Sequence, residues 1–391
     1  MPHRRTIAVL TTGRQDWGIL HSTCLAIGEH EDLHLRLIVG GMHLSPRFGL
    51  TIDEVRADGF EPDDVLDWLG GRGTGEAGAS SDPSATQQAG RALELVGDAL
   101  ETDPPDCLVL VGDRLETMAA AVAATVERVP IVHLHGGEQT LGAFDDGLRH
   151  AITKLSHLHL VSHEEHARRV VALGEDPALV QVVGSPGLDA AVRPDLPDGA
   201  RLEAELGIRL EPPVVIVTVH PATLDPDPAA VADAVVAAMD AVGATYVVTL
   251  PNADPGGAEV RTRMVAAAKG PRRIAVEALR ERRYWGLMRI ADAMLGNSSS
   301  GIVEAPAVDL PVVNVGDRQL GRRREANVIE AAVSPAAVTA ALRDALGPET
   351  RRRIALLHPP LADGQAGRRV ADIIAGWRPP HPPRKRPIPV P

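Results

Sequence analysis

Aromatic side chains make up only 2% of the 391 residues, and the formal net charge of the chain is −12. Proteins that bind single-stranded nucleic acid use exposed rings for base stacking and a basic surface for the phosphates. An acidic chain with so few rings therefore argues against nucleic acid as a partner. A local group of arginines can still oppose the overall sign, so a small phosphorylated ligand remains compatible with this composition.

Cysteine is equally scarce, with Cys24 in a predicted helix and Cys107 at the start of a predicted strand. Neither has the spacing of a metal ligand or a redox pair, and free thiols are typical of a reducing compartment. No segment approaches the roughly 18 consecutive apolar residues of a membrane span, and the N-terminal MPHRRTIAVL has no apolar targeting segment. These absences predict a cytoplasmic protein with no membrane partner.

The common nucleotide motifs are also missing. The sequence contains no G-x-x-x-x-G-K-[ST] loop, and no G-x-G-x-x-G follows the first predicted strand. This disfavours a P-loop kinase and a nicotinamide cofactor held in the usual way. Histidines are numerous, but no pair shares a helical face with a carboxylate in the zinc arrangement. We therefore predict neither a cofactor nor a metal.

Short apolar runs alternate with helical patterns along most of the chain, which predicts an α/β fold with parallel sheets covered on both faces. The polar stretch Arg193–Gly199 interrupts the alternation and resembles a linker. We therefore predict two doubly wound domains, at residues 1–190 and 195–363, with a ligand cleft between them at the carboxyl ends of the strands. Residues 70–84 are expected to form a mobile loop, and the Pro-rich residues 378–391 a disordered tail. The predicted strands are Thr6–Leu10, His34–Val39, Cys107–Val111, Ile131–Leu134, Leu158–Val161, Val180–Val183, Val214–Val219, Ala244–Leu250, Ile274–Val276, Ala293–Leu295 and Val312–Val315.

Polar residues gather where these strands are predicted to end. Each group alone is compatible with a solvated turn or a helix cap, but eight groups on one predicted edge favour a binding site. The strand-end residues taken as candidate substrate contacts are Asp16, Trp17, His43, Asp146, Arg149 and Asn252. Asp146 and Arg149 belong to a helix that starts near Asp145.

The segment Gly296–Gly301 (GNSSSG) places small residues at a predicted helix start, where backbone N–H groups can approach an anion. An N-cap by Asn297 or a serine is the alternative. Arg318 follows the next strand, and an arginine fork suits phosphate oxygens. We therefore favour diphosphate binding by this region.

Asp113 and Glu138 follow neighbouring predicted strands, and paired carboxylates without a metal suit proton transfer. A salt bridge from Asp113 to Arg114 or Arg149 is the structural alternative. His43 and His220 are candidates for orienting a phosphate or for acid–base work. Either could instead be a satisfied loop histidine.

Taken together, these segments resemble the hydrolysing UDP-N-acetylglucosamine 2-epimerases, in the branch of the sialic-acid pathway. The similarity runs in family order from about residue 6 to residue 376, and the GGE–DD–RHAITKLSH block and GNSSSGIVEAP are its most specific parts. The matching stretches are TGRQDWG, GMHLSPRFG, VGDRLE, HLHGGEQTLGAFDDGLRHAITKLSHLH, GSPGLD, VHPATLD, PNADPGG, GNSSSGIVEAP and NVGDRQLGRRREANVI.

The resemblance implies the GT-B architecture of two Rossmann-like domains, with a last helix at 364–377 crossing back to the first domain. It implies anti elimination of UDP through 2-acetamidoglucal, followed by water addition that gives N-acetylmannosamine. By the same resemblance Asp113, Glu138, Asp145 and His220 are the catalytic candidates. The nucleotide-contacting candidates are Arg14, Arg114, Ser298, Ser299, Glu304 and Arg318.

The sequence departs from the family after the first strand, where Arg14-Gln15-Asp16-Trp17 replaces the usual Arg-Ala-Asp-Tyr, and at His220-Pro221-Ala222-Thr223, which replaces His-Pro-Val-Thr. Gln15 and Trp17 favour an alternative, the same elimination on another nucleoside or nucleotide sugar. A GT-B glycosyltransferase and a regulatory binding protein are further alternatives, and the retained carboxylates argue against both. The resemblance also implies a homodimer or homotetramer.

Overall fold

The computed structural model describes residues 4–70, 83–139, 145–221, 229–251, 257–277, 279–354, 363–379 and 382–385. Most of the loop predicted at 70–84 and the candidate contact Asn252 lie outside these residues. By its internal contacts the chain divides into two compact units. The first unit contains residues 1–189 and 360–391, and the second contains residues 190–359.

The first unit is built on a parallel sheet whose strands, within the described residues, lie in the order β3-β2-β1-β4-β5-β6-β7. Its central strands are mostly apolar and almost completely buried, because helices cover both faces of the sheet. The strands are β1 (Arg5–Thr11), β2 (Leu33–Gly40), β3 (Asp64–Leu66), β4 (Cys107–Val111), β5 (Ile131–Leu134), β6 (Leu158–Val161) and β7 (Val180–Val182).

Helices of the first unit fill the crossovers between these strands. One hydrophobic cluster, on one side of the sheet, includes Leu20 and Ile27, and a second includes Val96 and Trp68. Ser84 caps the third helix, since its Oγ accepts from the backbone N–H of Gln87 in a capping box. The helices are α1 (Arg14–Glu29), α2 (Ile52–Ala57), α3 (Ala85–Thr102), α4 (Leu115–Val126), α5 (Asp145–Leu155) and α6 (Glu164–Ala172).

The second unit also contains a sheet covered by helices, with a separate hydrophobic core. Among the described residues its strands lie in the order β10-β9-β8-β11-β12-β13. All its strand pairs are parallel. The strands are β8 (Val214–Thr218), β9 (Thr245–Thr249), β10 (Arg273–Val276), β11 (Ala293–Gly296), β12 (Val312–Val315) and β13 (Val328–Ala331). The helices are α7 (Gly199–Leu206), α8 (Ala230–Ala241), α9 (Gly257–Ala267), α10 (Glu281–Ile290), α11 (Ser300–Val303), α12 (Pro335–Ala345) and α13 (Pro348–Ile354).

The last helix, α14 (Ala366–Gly376), belongs to the first unit and packs against α1. Its first turn is capped by the Asp189 carboxylate, which accepts from the backbone N–H groups of Ala366 (3.0 Å) and Gly367 (2.7 Å). Gly367 is required for this close approach, because a Cβ there would lie 2.5 Å from the backbone of Ser22. Beyond the helix, Lys385 Nζ lies 2.5 Å from the buried Glu175 carboxylate.

Two short strands at the sheet edges, β3 and β13, were not predicted from the sequence. β3 has only three residues and β13 four, and both are partly exposed, so neither produces the continuous apolar run that marks the central strands. The predicted α/β class with parallel sheets and intervening helices is confirmed. Within the described ranges, no helix is both long enough and apolar enough to span a bilayer.

Candidate functional sites in the two units

Two candidate catalytic carboxylates of the first unit converge on one arginine. Asp113 follows β4, Glu138 follows β5, and Arg149 lies on α5. The Arg149 guanidinium forms an ion pair with Asp113 through Nη2, and its Nη1 lies 3.5 Å from Glu138 Oε2. Because the carboxyl ends of neighbouring parallel strands meet at one sheet edge, residues distant in sequence become neighbours here. This Asp113–Arg149–Glu138 group is called the carboxylate cluster below.

Glu138 is held as an anion by its neighbours. Burial alone would raise the pKa of its carboxyl, but the charge and hydrogen bond of His135 and the charge of Arg149 outweigh it and lower that pKa well below its usual range. His135 Nδ1 lies 2.6 Å from Oε1, and Ser162 Oγ donates to the same oxygen at 3.0 Å. Glu138 therefore has fixed geometry and a fixed charge before any ligand binds.

Asp145 differs from Glu138 in the direction in which its pKa is shifted. Burial raises the pKa of the Asp145 carboxyl, and the nearby negative charge of Asp113 raises it further. Asp145 and Asp146 open α5, and the Asp146 carboxylate lies 3.4 Å from His150 Nε2 one turn later. The first turn of α5 thus combines an easily protonated carboxyl with the arginine that binds the other two, an arrangement suited to paired acid and base roles.

Arg114, the residue after Asp113, contacts the starts of α4 and α1. Its Nη2 lies 3.4 Å from Glu116 Oε1, and its Nη1 donates to Gln15 Oε1 at 3.4 Å. Arg14 and Gln15 are exposed at the start of α1. Asp16 is buried, and its carboxylate caps the turn by accepting from the N–H (3.0 Å) and the hydroxyl of Thr12.

The structure does not bring Trp17 to this site. The Trp17 ring is 2% exposed, packs edge-on against Phe60 and His21, and donates its indole N–H to Asp58 at 2.9 Å. The prediction of Trp17 as a ligand contact is corrected here, because α1 turns this side chain into the core of the first unit.

His43 is likewise committed to internal contacts. The ring is fully buried and hydrogen-bonds Thr11 Oγ1 (2.9 Å) through Nε2 and Thr51 Oγ1 (2.8 Å) through Nδ1. Burial lowers the pKa of His43 to about 4, so the ring is neutral at physiological pH. Of the two alternatives the sequence left open for His43, the structure supports the satisfied loop histidine.

In the second unit, Asn297 ties the ends of two strands together. Its side chain accepts from the His220 backbone N–H at 2.8 Å and donates to the His220 carbonyl at 2.9 Å. Gly296 before it adopts φ +140°, and a Cβ there would lie 1.9 Å from the Thr218 carbonyl oxygen. Only glycine permits this approach, and it brings the fully buried Asn297 beside His220.

Arg318 and Gln319 both bind the backbone carbonyl of Asn297, at 3.2 and 2.9 Å. Arg318 is otherwise exposed, whereas Gln319 is buried. His220 and the nucleotide-contacting candidate Arg318 are thus held on the same residue. We find the sequence-based pairing of the GNSSSG segment with Arg318 reproduced as a physical contact.

Ser298 and Ser299 precede α11, which is a single turn of four residues. The helix dipole invoked from sequence is correspondingly small, so any anion here would depend mainly on the local N–H groups and hydroxyls. Glu304 ends this turn, and burial raises the pKa of its carboxyl. Ser300 accepts a hydrogen bond from Tyr284 at 2.8 Å.

Sequence reasoning did not single out His135, Ser162 or Gln319, and it considered Asn297 only as a helix N-cap. His135 and Asn297 lie in segments that it did mark, at the ends of β5 and β11. Ser162 and Gln319 carried no sequence signal, because their roles depend on distant contacts. Within the described residues, no group of three or more histidine, cysteine, aspartate or glutamate side chains is arranged to hold a metal ion.

Comparison with known proteins identifies a family whose fold agrees with the two α/β units described above. The family model of UDP-N-acetylglucosamine 2-epimerase matches residues 25–375. The chain is 34% identical over 331 residues to the GDP/UDP-N,N'-diacetylbacillosamine 2-epimerase (hydrolyzing) of Campylobacter jejuni, covering 83% of this chain and 84% of that protein. It is 33% identical to the UDP-N,N'-diacetylbacillosamine 2-epimerase (hydrolyzing) of Legionella pneumophila, covering 88% and 89%.

The fold is also shared with the crystal structure of UDP-GlcNAc 2-epimerase from Neisseria meningitidis bound to UDP-GlcNAc. The TM-score is 0.79 at 16% identity, over 95% of this chain and 100% of that one. The fold is thus the GT-B type of sugar-nucleotide enzymes, as predicted. The chain belongs to the UDP-N-acetylglucosamine 2-epimerase family. The predicted family and the predicted enzyme class, a hydrolysing 2-epimerase, are confirmed.

Proposed function

We propose that this enzyme releases UDP from a UDP-activated 2-acetamido sugar and returns the free sugar inverted at C2. The observation that carries the proposal is the carboxylate cluster, where Asp113 and Glu138 share Arg149 next to Asp145. Glu138, with a lowered pKa, and Asp145, with a raised pKa, are suited to act as a base and an acid without a metal.

The reaction divides into two proton transfers. In the elimination, a carboxylate removes the C2 proton while the C1–O bond breaks toward UDP, which leaves a C1=C2 double bond. In the hydration, water adds its oxygen to C1 and C2 receives a proton on the opposite face. Asp113, Glu138 and Asp145 are the candidate acid and base groups, and His220 is a candidate for the nucleotide end. Ser298, Ser299, Glu304 and Arg318 are the proposed nucleotide contacts, with Arg14 and Arg114 from the first unit.

UDP-N-acetylglucosamine is the first substrate candidate, with N-acetylmannosamine as product. A second candidate, UDP-N,N'-diacetylbacillosamine, is supported by the names of the two relatives at 33–34% identity. It has an acetamido group at C4 and a methyl group in place of the C6 hydroxymethyl group, but the same 2-acetamido group and UDP. The elimination chemistry is identical for both, so the choice depends on the groups that face C4 and C6.

Incubation of the purified enzyme with each sugar nucleotide separates these candidates. We expect UDP release, a free 2-epimeric sugar, and one deuterium at C2 when the reaction is run in D₂O. Comparing kcat/KM for the two substrates identifies the better one. If neither substrate releases UDP while the folded protein still binds UDP, another nucleotide sugar is the substrate.

Arg318→Ala is expected to weaken UDP binding by about 1.5–3 kcal/mol, the usual size of a charge-assisted contact. Isothermal titration calorimetry with UDP measures this directly. Arg352→Ala is a matched control, since Arg352 is an exposed arginine of the same unit on α13. Unchanged affinity in Arg318→Ala would exclude Arg318 from the nucleotide site.

Substitutions of Gln15 and Trp17 are expected to have different effects, although both residues are adjacent to Asp16. Trp17→Tyr should lower the unfolding temperature, because it removes a packed ring and its N–H bond to Asp58, and should leave kcat/KM nearly unchanged. Gln15→Ala releases Arg114 and should change KM more than stability. A large loss of kcat/KM in Trp17→Tyr at unchanged stability would indicate that Trp17 contacts the substrate.

A further inference from the structure

His135 occupies an unusual backbone position at the end of β5. Its φ is +64°, in the left-handed region that is uncommon for residues other than glycine and in which asparagine, aspartate and histidine are the most frequent of these. The next two residues are glycines, so the chain places a histidine at a position that glycine would occupy more freely. Backbone strain at a non-glycine residue is a reason to look for a function that depends on the side chain.

The imidazole links Glu138 to a buried serine. Nδ1 lies 2.6 Å from Glu138 Oε1, and Nε2 lies 3.4 Å from Ser185 Oγ. An ionised carboxylate only accepts hydrogen bonds, so Nδ1 must carry the proton that forms this bond. On the other side of the ring, Nε2 is in hydrogen-bond contact with Ser185 Oγ. The imidazole thus joins Ser185 to Glu138 through its two nitrogens.

The two carboxylate oxygens of Glu138 differ in their hydrogen bonds. Oε1 accepts from His135 and from Ser162, whose Oγ is also 2.9 Å from His166 Nδ1. Within the described residues, the contact of Oε2 is the longer one to Arg149, at 3.5 Å. The better-bonded oxygen is fixed in the protein, and Oε2 is the oxygen that remains for proton exchange with a ligand.

We propose that His135 is a positioning residue for the reaction, which fixes the Glu138 carboxylate through Nδ1–H and directs Oε2 to the reacting atoms. This inference rests on the proposed function, and it adds to that function a residue that determines the geometry and acidity of the carboxylate. Among the described residues, the titratable groups that interact electrostatically with the imidazole are Glu138, His133 and His166, and Arg149 acts on Glu138. Of these, only Glu138 is in direct hydrogen-bond contact with the ring.

Two substitutions at residue 135 distinguish the contribution of the side chain from that of the backbone conformation. His135→Gly accepts the left-handed φ without strain but removes the donor. His135→Asn also tolerates this φ and retains an N–H donor at the position of Nδ1. We expect kcat to fall about 10²-fold in His135→Gly, the size of a small misplacement of a catalytic group, and to recover most of that loss in His135→Asn. KM and UDP affinity should change little in either variant.

The pH dependence of kcat distinguishes positioning of Glu138 from a purely structural role of His135, which would leave this dependence unchanged. Loss of a donor to the ionised form raises the pKa of a carboxyl. If Glu138 works as an anion, the acid limb of kcat should therefore shift toward neutral pH in His135→Gly and stay near the wild-type position in His135→Asn. Arg128→Gly is the matched control, because Arg128 is an exposed residue with φ +59° after α4. Its replacement should leave kcat and the pH profile unchanged.

A measurement without turnover keeps this inference separate from the proposed function. The Glu138 carboxyl can be titrated by ¹³C NMR in glutamate-labelled protein, with its signal assigned by its absence in Glu138→Gln. We expect the titration midpoint to rise in His135→Gly and to return in His135→Asn, whether or not the tested sugar nucleotides react. An unchanged midpoint in His135→Gly, or equal losses of kcat in both variants, would overturn the role of His135. Absence of UDP release by the wild-type enzyme would count against the proposed substrates alone.

Discussion

Asp113→Asn and Glu138→Gln are each expected to lower the rate of UDP release by about 10²–10⁴-fold, the usual cost of removing a positioned acid or base. Both replacements keep the shape of the side chain and remove its charge. The amide oxygen can still accept a hydrogen bond from Arg149, so the fold and UDP affinity should persist. UDP release followed by a coupled assay, with calorimetric UDP binding as a control, tests the expectation.

The two variants are also expected to differ from each other. A variant that retains elimination but is slow in hydration should accumulate the C1=C2 glycal, whereas one that is slow in elimination should accumulate nothing. Product analysis by NMR in D₂O therefore assigns the two proton transfers to particular carboxyls. Wild-type rates in both variants would move proton transfer away from the carboxylate cluster.

Arg149→Leu is expected to destabilise the first unit by about 3 kcal/mol, near the lower end of the range for breaking a buried ion pair. The Arg149 side chain is 7% exposed, and its removal leaves Asp113 and Glu138 facing each other without a counter-charge. The partial exposure of both carboxylates, 21% and 25%, keeps the effect from being larger. Differential scanning calorimetry resolves this effect, since the two units can unfold in separate transitions.

The sign of the pH dependence follows from the lowered pKa of Glu138. A carboxyl whose pKa is lower in the folded than in the unfolded state adds stability at pH above its unfolded value near 4.5, and that stability is lost as the pH falls. Arg149 is one cause of the lowering. The gap in stability between wild type and Arg149→Leu should therefore be largest above about pH 4.5 and shrink as the pH falls below this value toward the folded-state pKa of Glu138. A gap that does not shrink below pH 4.5 would show that Arg149 acts through packing rather than charge.

The central architecture could be read from the sequence because its signals are local. Mostly apolar runs such as Cys107–Val111, Ile131–Leu134 and Leu158–Val161 coincide with observed strands to the residue. A strand buried on both faces is predominantly apolar, so its pattern depends little on its partners. The edge strands β3 and β13 have one or more exposed sides, and their pattern could not be told from a loop.

Which candidate residues meet was decided by the tertiary structure. Arg149 is 36 residues from Asp113 and 11 from Glu138, and Asn297 is 77 from His220, yet each pair is in contact. His43 and Trp17 follow strands that end at the same edge of the sheet, but their rings lie inside the first unit. There the rings are buried and their nitrogens are hydrogen-bonded. The sequence by itself determined the class of fold, the family, and the strand ends that carry polar residues. Orientation within those ends, including the bond from His135 to Glu138, depends on packing and hydrogen bonds between segments far apart in the chain, and these exist only in the folded protein.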